Sequence, residues 1–354
     1  MPGCWNIRGT VLNNRFDLIR FCGHNPTMPL ASRLNSFGPA QESLSTAEIS
    51  IADPGPGEVL IGMLAAPVNP ADINVIEGTY GDLPKLPATI GNEGVGRVVA
   101  VGSGVQGLEE GQMVLPMTFG TWCERMIVPA ASVIVLPGEL DRFQAAMLTV
   151  NPATAWRMLH DFVKLDPGDW IVQNAANSGV GRSVIQLARA LGWKTLNVVR
   201  RESLAKELQS AGADVVVTEE CDLRKEWKNL CGGGRPKLAL NAVGGPSALN
   251  LANSLAAGST MVTYGAMSKQ ALKIPNGLLI FQGLRFQGFW LKRWREKSSD
   301  SSRRETYSAL AGHLRAGTLS TPVHATFPLL RLVDAVLAAQ QDQRGGKILL
   351  DLSA

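Results

Sequence analysis

Histidine is scarce in this chain, four in 354 residues, and His24, His160, His313 and His324 stand at no spacing that a metal-ligand pair uses. Cysteine is little richer. Cys4, Cys22, Cys123, Cys221 and Cys231 form an odd, scattered set without a C-x-x-C pair, which excludes a disulfide framework and a cysteine zinc cluster and suits a reducing compartment. No uninterrupted apolar run approaches the roughly 18 residues of a membrane span, and there is no low-complexity tract or internal repeat. Charge of one sign is also lacking: a net +4 is too weak, without a clustered patch, to argue for nucleic acid. What is present is an ordinary globular balance, 45% hydrophobic and 18% charged, with the 37 glycines and 20 prolines of a chain rich in tight turns. The chain reads as soluble, ordered and metal-free.

Its length exceeds what one hydrophobic core supports, so two domains are expected. From about Leu30, short alternating apolar segments are cut by turn signals: "SLSTAEISI", "DPGPGE", "VLIGMLAAPV", then "GVGRVVAVGSGV" and "EGQMVLPM". The repeated glycines there suit bulges and barrel corners, which predicts a β-rich domain over 28–147. The character then changes. "WIVQNA", "KTLNVVR", "ADVVVT", "KLALNAV" and "STMVTYG" read as strands, separated by helices such as "GVGRSVIQLARALG", closed by Gly192, "SLAKELQSAG" and "PSALNLANSLAAG". Such alternation predicts an α/β, doubly wound parallel sheet of Rossmann type over 148–290. The tail 291–354 carries one or two helices and a last strand, and is expected to return to the first domain.

The loop "NAANSGVGRSV", residues 174–184, joins a buried strand to a helix. Gly179 and Gly181 are where a dinucleotide loop needs a close backbone approach and tight helix packing, while Ser178 stands at an earlier glycine position. Free N–H groups and the positive end of the helix can face a pyrophosphate, and Asn177 and Ser178 add side-chain donors. About 20 residues on, where an NAD site has an acid, the chain reads "NVVRRES". Arg200 and Arg201 suit a 2′-phosphate and so predict NADPH, although Glu202 follows and arginine pairs also begin ordinary exposed helices.

The segments "INVIEGTYG", "GNEGVGRVVAVGSGV", "VNPATAWRML", "QNAANSGVG", "TMVTYGAMSKQ" and "RFQGFWL" resemble the medium-chain dehydrogenase/reductase superfamily, most nearly its zinc-free trans-2-enoyl thioester reductases, over roughly residues 30–354. The resemblance implies a GroES-like β-rich catalytic domain beside the Rossmann domain, and NADPH-dependent reduction of enoyl-CoA or enoyl-acyl-carrier-protein in fatty acid synthesis. Zinc members of the superfamily have a cysteine and the histidine of a "GHE" sequence where this chain has Asn69 and Asn92. Without a metal, the enolate left by hydride addition at Cβ needs a proton donor at Cα. The resemblance gives that role to Tyr80, one of three tyrosines, which otherwise reads as a residue packing a loop. It places Trp290 in the site, guiding the acyl chain or the thioester, against a reading as plain core. It implies cofactor contacts at Asn151, Asn177, Ser178, Gly179, Val180, Gly181, Arg200, Arg201, Glu202, Tyr264, Gly265, Ala266, Met267, Phe289, Trp290, Leu291 and Lys347. The family often has an aspartate where Arg201 stands.

Three further expectations follow. The basic run 291–304, with Lys292, Arg293, Arg295, Lys297, Arg303 and Arg304, reads either as a meeting surface for CoA phosphates or an acidic carrier or as a solvated helix end. A homodimer is expected, partly because the terminal strand of an open sheet leaves an edge to cover. Residues 1–27, basic but for Asp17, form a disordered or targeting extension; the location is expected to be cytoplasmic, with the mitochondrial matrix as the alternative. Two rival functions stay open, a zinc-free NADPH quinone or enone reductase and a non-catalytic NADPH-binding module.

Overall fold

Two sheets organise the computed structural model, which describes residues 28–341 and 345–353. The extension 1–27 lies outside the described residues. Six parallel strands, Trp170–Gln173, Lys194–Val199, Val215–Thr218, Leu238–Asn241, Thr260–Thr263 and Arg285–Gly288, form one sheet. Counted along the chain, their spatial order is 3-2-1-4-5-6, which is the Rossmann order, with its switch point between strands one and four. These two central strands are buried at every position, as a sheet covered on both faces requires. The sixth strand, at one edge, has three of its four residues exposed.

The helix Gly179–Ala190 follows the first strand and buries Val180, Val184, Ile185 and Leu187. Its N-terminus is set by Ser178, whose Oγ accepts from the Gly181 N–H at 3.1 Å, and the chain leaves it at Gly192 with φ +77°. Two elements in this half escape the sequence pattern. The helix Leu223–Leu230 has a narrow apolar stripe of Leu223, Trp227 and Leu230, of which only Leu223 is fully buried, and Arg285–Gly288 is too short and polar to read as a strand.

The second sheet is mixed and runs Val323–Pro328, Lys347–Asp351, Glu58–Pro67, Val95–Val101, Met113–Pro116, Val133–Val135, with Arg125–Pro129 also pairing Glu58–Pro67. The register slips twice between Glu58–Pro67 and Val95–Val101. At that bend a Cβ on Gly96 would lie 2.6 Å from Gly62 O, so the expected glycine corner is a close approach of backbones. The last strand pairs Leu350 with Ala66, antiparallel, and so the chain returns to its beginning.

In the tail, the helix Asp300–Arg315 packs on Asn151–Asp161, with Tyr307 wholly buried in the core that the two halves share, and Val323–Pro328 pairs with Lys347–Asp351 in the mixed sheet. One apolar core runs through both sheets: Val95, Leu115 and Leu349 share a cluster with Met158, Ile171 and Tyr307. Such a junction is held as firmly as a domain interior. No described helix is long and apolar enough to cross a membrane.

Candidate active site

At the switch point the first strand runs into Asn174 and the fourth ends in Asn241. Asn174 Nδ2 donates to Asn241 Oδ1 at 2.9 Å, and the Ala242 N–H returns to Asn174 Oδ1 at 2.8 Å. Both side chains are buried, so this amide pair fixes the floor of the crevice in which open α/β sheets bind ligands. Above it the loop turns through Ala175, at φ +48°, into Ser178, Gly179, Val180 and Gly181. A Cβ on Gly181 would stand 2.6 Å from Ala176 O, and one on Gly179 would stand 3.0 Å from the Asn151 side chain. Glycine at 181 therefore seats the helix on the strand, while glycine at 179 leaves room for Asn151.

The loop fits a dinucleotide. Among the described residues the N–H groups of Gly179 and Val180 meet no backbone or side-chain acceptor, which is the arrangement that takes an anion at a helix N-terminus. The Tyr264 hydroxyl, beside Ser178, is buried without a partner of hydrogen-bonding geometry, and burial pushes it well above the usual phenol range. Tyr264 begins the turn Tyr264–Gly265–Ala266–Met267, pinned over the fourth strand by Tyr264 N–H to Asn241 O and Met267 N–H to Ala242 O, each 3.0 Å. Met267 is 60% exposed. Arg200, Arg201 and Glu202 lie exposed just past the second strand, and Asn177 is half-buried, its carbonyl accepting from Arg182 Nε at 3.1 Å.

Tyr80 reaches the site from the other half. The helix Pro70–Ile76 ends at Glu77, Gly78 turns at φ +74°, and the Tyr80 N–H is held by Asn74 O at 3.1 Å. The ring packs on the mixed-sheet core. Trp290 comes from 210 residues away: its Nε1 donates to Tyr80 Oη at 3.3 Å, the rings edge to face at 6.5 Å. Beside them Lys292 pairs with Asp82. Of the neighbours expected here, Phe289 is edge-on to Phe162 at 6.0 Å, and the Leu291 side chain is buried in the shared core.

Two family models match, the alcohol dehydrogenase GroES-like domain over residues 55–138 and the zinc-binding dehydrogenase model over 179–304. The mitochondrial enoyl-acyl-carrier-protein reductase of Homo sapiens is 45% identical over 302 residues, 83% of this chain and 81% of that protein. The Dictyostelium discoideum protein of that name is 42% identical over 83% and 86%. The chain belongs to the enoyl-acyl-carrier-protein reductase family. Among solved structures, the enoyl thioester reductase Etr1p in complex with NADP and crotonyl-CoA superposes at TM-score 0.82 with 31% identity, covering 92% of this chain and 99% of that one. A candidate NADPH:quinone reductase from Bacillus thuringiensis superposes at 0.84 with 29% identity, over 91% and 98%.

Although one matching family model is named for zinc, no ligand set for it stands among the described residues. Asn69 Oδ1 accepts from the Lys347 ammonium and, at 3.3 Å, from Asn151 Nδ2, while Asn69 Nδ2 donates to Glu93 Oε1 at 2.8 Å. Asn92 spends its side chain on Asp72 Oδ1 at 2.7 Å. A neutral amide already facing an ammonium is no place for a dication. Lys347, expected as a cofactor contact, is thus tied to Asn69.

Glu93 and Asp72 are site residues that the sequence did not single out. Both are fully buried. Burial pushes the Glu93 carboxyl up, against the pull of its Asn69 bond and of the Lys347 charge. Its Oε2 takes the Val150 N–H at 2.7 Å and the Thr149 hydroxyl at 3.1 Å. Burial likewise pushes Asp72 up to about 7, although three N–H groups, from Asn69 and Asn92, donate to it. The signal available beforehand was "GNE", an acid inside an otherwise apolar and glycine-rich stretch.

The basic run divides. Arg295 is half-buried and bonds Tyr307 Oη at 3.0 Å and the Thr149 carbonyl; Arg303 bonds Arg295 O at 2.8 Å and Ser298 O at 2.6 Å. These two hold the fold, so charge reversal there would test folding rather than docking. Arg293, Lys297 and Arg304 are exposed.

Proposed function

We propose that the protein is an NADPH-dependent reductase of trans-2-enoyl thioesters, carried by CoA or by an acyl carrier protein, in fatty acid synthesis. Bound NADPH supplies the hydride, to Cβ; the rest is the work of this chain's residues. The loop of Ser178, Gly179, Val180 and Gly181 binds the pyrophosphate, with Asn177 beside it, and Arg200 and Arg201 take the 2′-phosphate with Glu202 at the ribose. The Tyr264–Met267 turn, Asn151 and Phe289 bound the nicotinamide end. Hydride addition leaves an electron pair on the thioester enolate, and Tyr80 Oη gives Cα the proton that completes the saturated acyl thioester.

The observation that carries this reading is the cross-cleft pair. Because Tyr80 Oη accepts the Trp290 indole N–H at 3.3 Å, its own proton remains free to be given away. A phenol is a weak acid, yet an enolate is a strong enough base to take its proton when the two are aligned. We assign the catalytic role to 28–147 with the return from 291, and cofactor binding to 148–290. Exposed Arg293, Lys297 and Arg304 suit the phosphates of CoA or an acidic carrier. The relatives carry mitochondrial names, and we propose the mitochondrial matrix; the cytoplasmic expectation finds no support among them.

The test follows NADPH absorbance with trans-2-hexenoyl-CoA, with 9,10-phenanthrenequinone in parallel. Tyr80→Phe, which keeps the ring packing, is expected to lower enoyl turnover by about a hundredfold, the low end for a general acid. Brisk quinone reduction with no enoyl turnover would overturn the reading in favour of a quinone reductase, the activity that the Bacillus thuringiensis neighbour's name suggests.

A further inference from the structure

Glu93 touches neither the dinucleotide loop nor Tyr80, yet both depend on what it holds. On one side it fixes Asn69, the residue capping helix Pro70–Ile76, and that helix presents Asn74 O to the Tyr80 N–H. On the other it takes the Val150 N–H and the Thr149 hydroxyl, at the start of helix Asn151–Asp161. The side chain of Asn151 then closes the circuit. Its Nδ2 reaches Asn69 Oδ1 at 3.3 Å, and it stands 3.0 Å from where a Gly179 Cβ would be.

A fully buried carboxylate is a poor way to gain stability, since desolvation offsets most of what its bonds return. Its three donors come from two segments, Asn69 and Thr149–Val150, separated by 80 residues of chain, and the charges facing it are the cations Lys347 and Arg295 and its acidic neighbour Asp72. What such an arrangement supplies is a fixed distance. Resting on the reductase reading above, we propose that Glu93 is a positioning residue: through Asn69 it sets the Tyr80 helix and, through Val150 and Asn151, the pyrophosphate-loop side, so that proton donor and hydride donor keep one separation.

The substitution Glu93→Gln keeps the shape but offers one acceptor oxygen to three donors. Three readouts separate placement from plain structure. Turnover of trans-2-hexenoyl-CoA should fall by about ten- to a hundredfold, as a misplacement of about an ångström does, while its KM and the NADPH Kd, read by fluorescence titration, stay within about threefold. In the cofactor-free protein, amide hydrogen exchange across residues 148–153 should quicken by about tenfold as the Val150 N–H loses its acceptor. Asn69→Ala, which leaves the Val150 N–H its acceptor, should reproduce the loss of turnover, and the double variant should turn over no more slowly than Glu93→Gln alone, because the two act as one unit.

Additive losses, or faster exchange with unchanged turnover, would overturn the proposal and leave Glu93 a brace. Unchanged exchange in Glu93→Gln would overturn it as well. Should Glu93→Gln fail to fold, Asn69→Ala, which removes only a neutral side chain, decides alone. A wild type that binds NADPH but reduces no enoyl thioester refutes the parent reading, and with it the placement of a proton donor, whereas wild-type turnover with unaffected variants refutes this inference alone.

Discussion

The two-glycine loop makes its strongest claim at Gly181. An alanine there would put its Cβ 2.6 Å from Ala176 O and 2.7 Å from Ala176 C and Cα, all backbone, so nothing can rotate aside. Relief requires the helix to lift off the strand by roughly half an ångström, and overpacking of this sort costs about 1–3 kcal/mol. The residue is also pinned by its N–H on Ser178 Oγ at 3.1 Å and its carbonyl under Gln173 Nε2 at 3.0 Å, so the lift drags the free Gly179 and Val180 amides with it. Losing their aim on a phosphate removes about 1–2 kcal/mol of helix-terminus stabilisation, a rise of roughly 5- to 30-fold in the NADPH Kd. The Tm of the apoprotein should fall by about 1–4 °C, since about 2.1 cal/mol/K per residue over 354 residues makes each kcal/mol worth roughly 1.3 °C. Gly179→Ala is the internal control, since the contact there is the Asn151 side chain at 3.0 Å, which can turn; it should melt close to wild type. NADPH fluorescence titration and a thermal melt read both variants. A Gly181→Ala protein with wild-type Tm and a Kd within about twofold would refute the argument that glycine is required there for backbone clearance.

Two other expectations are checked independently. We propose a homodimer through the sheet edge at Arg285–Gly288, which among the described residues pairs only with Thr260–Thr263 and lies beside Ile280 and Phe281, 70% and 85% exposed. Light scattering should find a dimer for the wild type and a monomer for Ile280→Glu with Phe281→Glu at similar Tm; a wild-type monomer at micromolar concentration would refute it. Burial pushes Cys123 up to about 12 and Cys231 up to about 11, leaving about one thiolate in ten thousand and one in a thousand at pH 8. Iodoacetamide at that pH should therefore label half-buried Cys221 before either. Native labelling of Cys123 at the Cys221 rate, read by peptide mass spectrometry, would contradict the packing around it.

Sequence alone determined the local elements and their order. Apolar runs of strand length, a glycine-bearing strand-to-helix loop and alternating helices are short-range signals, because backbone geometry and burial on both faces act within a few residues. They yielded the parallel sheet, its loop at Ser178–Gly181 and the final strand. Tyr80 and Trp290 were reached through resemblance, since one tyrosine in a glycine-flanked loop has no periodicity to betray it. Tertiary structure decided the rest. Trp290 meets Tyr80 across 210 residues, and Lys347 meets Asn69 across 278. Arg295 and Arg293 are two residues apart and indistinguishable as text, yet one is spent on Thr149 and Tyr307 and the other faces water. Glu93 is an acid among glycines in the sequence and the shared anchor of two helices in the fold. A buried charge is defined by the donors that surround it, and these come from segments that only the closed chain brings within 3 Å.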